Sequence, residues 1–221
     1  MKIHQIFFPF PPFYENIEKF PEFMYSMQMF KQNDCEYQLW GMGDVDKLIE
    51  KECPEFKDFY DTLRYPIQRL DVAKYLICHF VGGFYADLDV RPLKPVKDFV
   101  QNFDLLQVAM DEKNRAQNDV IYCPKGGLPN VLEALRENYD RCLNIPIYKS
   151  WRFRFILQST GDRWFHRYLK TIPHVKKQWA TRIFTDPKFT HLSTNIPEAP
   201  LLVIHRTTWK DQLVPKRVAG G

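Results

Sequence analysis

Asp87 and Asp89 stand two residues apart, directly after the short apolar run Phe84-Tyr85-Ala86. If that run is a strand, both carboxylates project from one face while Leu88 points to the other. Two hard oxygen donors held that close cannot easily both stay ionised without a cation or hydrogen-bond donors beside them. A divalent metal meets that need, and its open positions accept phosphate oxygens. The chemistry expected here is a metal–diphosphate site at a strand end.

The elements that would position these acids are legible upstream. Leu70, Ala73, Leu76, Ile77, Phe80 and Val81 recur at helical spacing, which predicts an amphipathic helix from about Arg69. Gly82-Gly83 supplies a left-handed stop. Asp71 and Lys74 lie one turn apart and share a face of that helix. They are either a surface ion pair, worth little, or part of the site.

Elsewhere, strands are predicted over 2–8, 36–40, 104–110, 120–123 and 201–204. Helices are predicted from Pro21 to about Gln32, after Asp44, from Pro54 to about Tyr65, over 128–143 and 151–158, and from Asp162 to about Lys170. Residues 171–200, with Pro173, Pro187, Pro197 and Pro200, read as irregular. Alternating strands and helices argue for an α/β fold. One domain over residues 1–213 is expected, with 214–221 as a basic tail or linker.

Composition narrows the classes. Hydrophobic residues make up 45% of the 221-residue chain and charged residues 26%, which suits a soluble protein with a sizeable core. The net charge of +4 helps attract an anionic nucleotide but does not call for nucleic acid. No stretch approaches a transmembrane length, and the N-terminus lacks the features of a signal peptide. Five scattered cysteines without a Cys-x-x-Cys pair read as free thiols of a reducing compartment, so a cytoplasmic location is expected.

The ordered set Asp71, Lys74, Tyr75, Gly82, Gly83, Tyr85, Asp87, Asp89 resembles the core of the Asp-x-Asp-containing GT-A glycosyltransferases. The nearest likeness is to the group that includes yeast-type initiating mannosyltransferases and bacterial capsule and surface-polysaccharide enzymes. Lys74 stands where that group usually has Arg. Lys2 to Phe8 resembles its opening strand, Asn118-Asp119 its Asn-Asp segment, Thr160-Gly161 its Thr-Gly, and His205 and Trp209 its closing His and Trp; Asp162 stands where Pro is common.

The resemblance implies a GT-A-type nucleotide-sugar-binding fold, with a mixed central sheet flanked by helices. It implies transfer of a sugar, UDP-linked being favoured, to a carbohydrate or glycoconjugate hydroxyl with retention. Mn²⁺ or Mg²⁺ would be held by Asp87, Asp89 and His205, with Asp89 the more direct ligand. Asp71, Asp87 and Asp89 carry catalysis on this reading. Asp71 and Lys74 would lie beneath the donor sugar, Arg69 near the diphosphate, and His4 and Gln5 near the base. Asn118, Asp119 and Trp209 complete the donor side, and Thr160, Gly161 and Asp162 line the acceptor side. Core packing remains open for His4 and His205, and a helix cap for residues 160–162. A nucleotide-sugar hydrolase, another metal-dependent phosphoryl enzyme and a non-catalytic binding module remain rival functions.

Overall fold

The computed structural model describes residues 1–10, 15–100, 102–110, 115–173, 175–180, 182–184 and 201–204. The first strand, β1 (Lys2–Ile6), is buried at every residue after Lys2. A strand covered on both faces belongs in the middle of a parallel region. β2 (Glu36–Trp40) and β3 (Gly83–Ala86) accordingly flank β1, both parallel to it. β3 then pairs antiparallel with β6 (Ala116–Cys123), β6 antiparallel with β5 (Gln107–Met110), and β5 parallel with β7 (Lys176–Ala180). The order is β2-β1-β3-β6-β5-β7. A smaller sheet has the order β4-β9-β8, from β4 (Val90–Pro92), β8 (Arg182–Phe184) and β9 (Leu201–Ile204).

The helices are α1 (Pro21–Lys31), α2 (Met42–Glu52), α3 (Lys57–Thr62), α4 (Pro66–Phe80), α5 (Val96–Phe99), α6 (Val131–Leu143), α7 (Pro146–Ser150), α8 (Arg152–Ser159) and α9 (Asp162–Tyr168). Neighbouring residues of β3 face opposite sides of the sheet, as strand geometry requires. Tyr85 packs in the larger core with Val72, Leu76, Leu135 and Phe165, whereas Phe84 packs in the smaller one with Ile3, Phe30 and Phe99. This is the mixed sheet flanked by helices that the resemblance implied.

α4 begins three residues before the expected Arg69, because Pro66 pre-sets the first turn and Gln68 Oε1 accepts the Tyr65 N–H at 3.1 Å. It ends at the double glycine: the Val81 and Gly82 N–H groups both donate to Ile77 O, and Gly82 turns left-handed at φ 73°. Both glycines are required for reasons of space as well. A Cβ on Gly82 would lie 2.7 Å from Lys125 N, and one on Gly83, at φ +112°, would lie 2.5 Å from Lys2 O.

Two expectations change. The acids Asp87 and Asp89 do not share a strand face: β3 ends at Ala86, and Asp87-Leu88-Asp89 form a turn closed by the Val90 N–H on Asp87 O at 3.0 Å. The stretch read as irregular contains β7 and β8, whose strand state is set by pairing with β5 and β9 rather than by their own apolar pattern. The strand beyond the acids, β4, belongs to the second sheet. All five cysteines are free, and no helix among the described residues is long and apolar enough to cross a membrane.

Gly83→Ala should cost at least about 2 kcal/mol of stability in urea unfolding, since strain at positive φ and backbone overlap combine. Gly126, also left-handed at φ +79° but with nothing within 4 Å of a Cβ, is the control. Its alanine variant should lose only about 1 kcal/mol.

Candidate active site

The turn after β3 is clamped from three sides. The Asp87 N–H donates to Asp119 O at 2.8 Å, which carries the β3–β6 pairing one step past Ala86 and sets Asp87 beside Asp119. Gln5, buried at the end of β1, donates from Nε2 to Asp87 O (3.2 Å) and to Ser26 Oγ (3.1 Å), and its Oε1 accepts from the Tyr37 hydroxyl (3.0 Å). Ser26 in turn donates to Val90 O. Gln5 therefore acts on the position of the Asp-x-Asp turn through its backbone.

The side chain of Asp87 meets Lys74. The ammonium of Lys74 is 2% exposed and donates to Asp87 Oδ1 at 3.0 Å and Oδ2 at 3.3 Å; Asp71 Oδ1 lies 3.5 Å away on the same helix. The Tyr85 hydroxyl also donates to Asp87 Oδ1. Asp71 and Lys74 are thus no surface pair. With the partly exposed Asp87 they form an acid–base–acid array that joins α4 to the end of β3.

Asp71 draws in one donor-side and one acceptor-side candidate. Asn118 Nδ2 donates to its Oδ1 at 3.1 Å, and Thr160 Oγ1 to its Oδ2 at 3.2 Å. Tyr75, one position past Lys74, organises both partners. Its hydroxyl accepts from Asn118 Nδ2 and donates to Thr160 O, each at 2.8 Å, while its ring packs on Trp164 and Phe165 at centroid distances of 5.0 and 5.1 Å. Sequence reasoning gave Tyr75 no role, although it belongs to the matched set.

Burial and crowding shape the charges. Burial pushes the Asp71 carboxyl up to about 6 against the pull of Lys74. Burial and then the charge of Asp87 push Asp119 up to about 7. Asp89 is driven well above the usual carboxylate range by burial and by Asp87 and Asp119. For Lys74, burial acts to lower the pKa, but Asp87 and Asp71 outweigh it and hold the amine charged. Asp119 is 8% exposed, and its Oδ1 has no hydrogen-bond partner.

Among the described residues no group of three or more His, Cys, Asp or Glu is spaced to hold a metal. The donor set nevertheless fits a hard divalent cation: repelling carboxylates of which one buried oxygen is orphaned. His205, the expected third ligand, and Trp209 lie outside the described residues.

Other candidates are placed differently. His4 Nε2 donates to Gly82 O (2.8 Å) and Nδ1 accepts from Trp40 Nε1 (3.0 Å), so both ring nitrogens serve the fold; burial lowers its pKa to about 4. The Arg69 guanidinium donates to Asp61 O in α3 and takes no part in the bonds around Asp87. Gly161, rather than Asp162, is the cap residue of α9, and Asp162 is its first residue.

An Asp-x-Asp turn at the end of a sheet strand, backed by a buried helix carboxylate and cation, defines a GT-A-type glycosyltransferase fold. A solved "PaToxG Glycosyltransferase" shares that fold, with a TM-score of 0.53 and 18% identity over 77% of this chain and 67% of that one. Residues 17–107 match the family described as "Glycosyltransferase sugar-binding region containing DXD motif".

Among curated proteins, the chain is similar to Mannosyl phosphorylinositol ceramide synthase SUR1 of Saccharomyces cerevisiae, 30% identical over 66% of this chain and 35% of that protein. Inositol phosphoceramide mannosyltransferase 3 of Schizosaccharomyces pombe is 41% identical over 28% of this chain and 18% of its own length. Initiation-specific alpha-1,6-mannosyltransferase of Candida albicans is 28% identical over 45% of this chain and 26% of its own length. The chain spans about a third or less of these relatives.

The raised carboxyl groups make a signed prediction. Asp71 and Asp119 hold protons in the folded state at pH values where an unfolded chain has lost them, so metal-free stability falls as pH rises from about 4 to about 7. Asp119→Asn removes one such group. In chelator it should be more stable than the parent at pH 8, by on the order of 1 kcal/mol, with the difference closing at pH 4. A pH series of urea melts checks this.

Proposed function

We propose that the protein is a glycosyltransferase that moves a sugar from a nucleotide diphosphate sugar, UDP-linked being favoured, to a hydroxyl of a carbohydrate or glycoconjugate. The observation that carries this reading is the buried Asp71–Lys74 pair, bonded to the partly exposed Asp87 at the head of the Asp87-Leu88-Asp89 turn. It sets a fixed positive charge and several acceptor oxygens beside one another, as a sugar diphosphate requires. Residues 1–213 as one catalytic domain, a site completed by His205 and Trp209, and retention of configuration belong to the same proposal.

Mn²⁺ or Mg²⁺, held by Asp87 and Asp89 with His205, would supply Lewis-acid neutralisation of the diphosphate leaving group. The chain's own residues do the rest. Lys74 adds a second positive charge that cannot move away, because two carboxylates hold it. Asp71 Oδ1 faces Asn118 and Lys74, while Oδ2 accepts from Thr160 alone and keeps a lone pair with which it can orient a sugar hydroxyl. Asp119 Oδ1 offers a further acceptor. Retention requires no dedicated base: the leaving phosphate oxygen takes the acceptor proton on the same face.

The first test is a panel of nucleotide sugars, with and without Mn²⁺, scored for nucleotide release and sugar transfer. Release that needs no acceptor would mark a hydrolase. Asp89→Ala should abolish turnover while changing the free energy of unfolding in urea by no more than about 1 kcal/mol. Full activity of that variant in chelator would refute the site.

The second test separates positioning from binding. Asp71→Ala should bind UDP with Mn²⁺ yet transfer sugar at least ~100-fold more slowly. Tyr75→Phe leaves Asp71 its bonds from Asn118 and Thr160 but removes the hydroxyl that braces both partners. It should lower kcat by about tenfold with KM for the donor little changed, an intermediate loss of orientation. A fall in thermal stability with kcat intact would leave Tyr75 a packing residue.

A further inference from the structure

The segment from Ile147 to Arg154 exposes three large apolar side chains: Ile147 (47%), Trp151 (55%) and Phe153 (37%). Arg152 and Arg154 interleave with them and are exposed too. The Arg154 guanidinium stands over the Trp151 ring, 5.5 Å from its centroid. The next residues, Phe155 and Ile156, are buried, so α8 is anchored and holds the patch in a fixed place. Single exposed apolar residues are ordinary; three within one eight-residue segment, one of them under a guanidinium group, mark that segment for contact with a partner.

The composition of the patch indicates what it contacts. A rigid aromatic ring with a polar rim suits the headgroup level of a bilayer, and arginine complements anionic lipid phosphates. A neutral glycan would leave the two arginines without counter-charges. Its place in the fold agrees. α8 runs from the patch to Ser159, and the next residue, Thr160, holds Asp71. Eight helical residues span about 12 Å. A surface touching Trp151 is therefore joined to the residue that holds Asp71 by a single short helix.

We propose that residues 147–154 dock the protein peripherally on an anionic lipid bilayer, so that it meets an acceptor carried on a lipid. The position of that acceptor rests on the glycosyltransferase reading; the docking does not. It is measured on the full chain without donor or metal, so its failure and the failure of that reading are distinguishable.

The experiment is co-sedimentation with vesicles of phosphatidylcholine alone or with phosphatidylserine. The parent should bind the anionic vesicles, bind neutral ones far more weakly, and be released by about 1 M salt. Arg152→Gln with Arg154→Gln should weaken binding about fivefold per arginine, and Trp151→Ala should weaken it further. All variants should keep the parent's urea midpoint and its nucleotide release with a soluble acceptor. Three results overturn the proposal: no binding of the parent to anionic vesicles, binding that the substitutions leave unchanged, or retention on heparin without vesicle binding, which would mark a soluble polyanion as the partner.

Discussion

The ammonium of Lys74 is the point on which the site turns. It is buried between Asp87 and Asp71, and a buried charge stripped of its partners costs several kcal/mol, so all three groups hold one another in place. The link has a structural consequence. α4 carries Asp71 and Lys74, whereas Asp87 follows β3, so the array fixes the helix against the strand end on the polar side. An arginine here would bring a planar fork suited to bidentate contact. Lysine's compact charge serves two carboxylates from different elements, with a third contact to the face of Tyr85 at 5.4 Å.

That array works only if the chain arrives in register, and buried polar groups far from the acids ensure it. His4, neutral and bonded through both nitrogens, joins β1 and β2 to the Gly82 carbonyl at the start of the return. Gly83 lets β3 pass close to Lys2, where any side chain would collide. Gln5 and Ser26 then hold the carbonyls of Asp87 and Val90 from opposite ends of the turn. A chain of backbone contacts thus runs from β1 to the acids.

Much of this was legible in the sequence because it rests on local pattern. The amphipathic helix, the double-glycine stop, β2 and β9 follow from spacing and turn chemistry. What rests on pairing between distant segments was hidden. β7 has no apolar alternation and is a strand because β5 borders it. The Asp87–Asp89 pair was read as two residues on one strand face, but a turn places them, and the turn depends on Asp119 and Gln5. His4 could not be told from a ligand by its type alone; the carbonyl and indole that occupy it come from residues 82 and 40. Tyr75 fell at a helical core position, and only the convergence of Asn118 and Thr160 on its hydroxyl reveals a polar duty.

The site is also built in an unfavourable balance. Asp71, Asp87, Asp89 and Asp119 surround one Lys74, and burial and mutual repulsion raise three of those acids above their ordinary range. A core selected for stability alone would not gather four acids around one base, since buried like charges oppose folding. On the proposed function, the missing positive charge is a divalent ion, which removes the repulsion as it binds. Asn118 and Thr160 then matter because they keep Asp71 from swinging away from its neighbours while the charge is uncompensated. Of the two bonds that hold the carboxylate, the one from Thr160 ties it to the residue that follows α8, and Tyr75 braces the carbonyl of that residue. A shift of that helix would therefore be felt directly at Asp71, through hydrogen bonds rather than through the sheet.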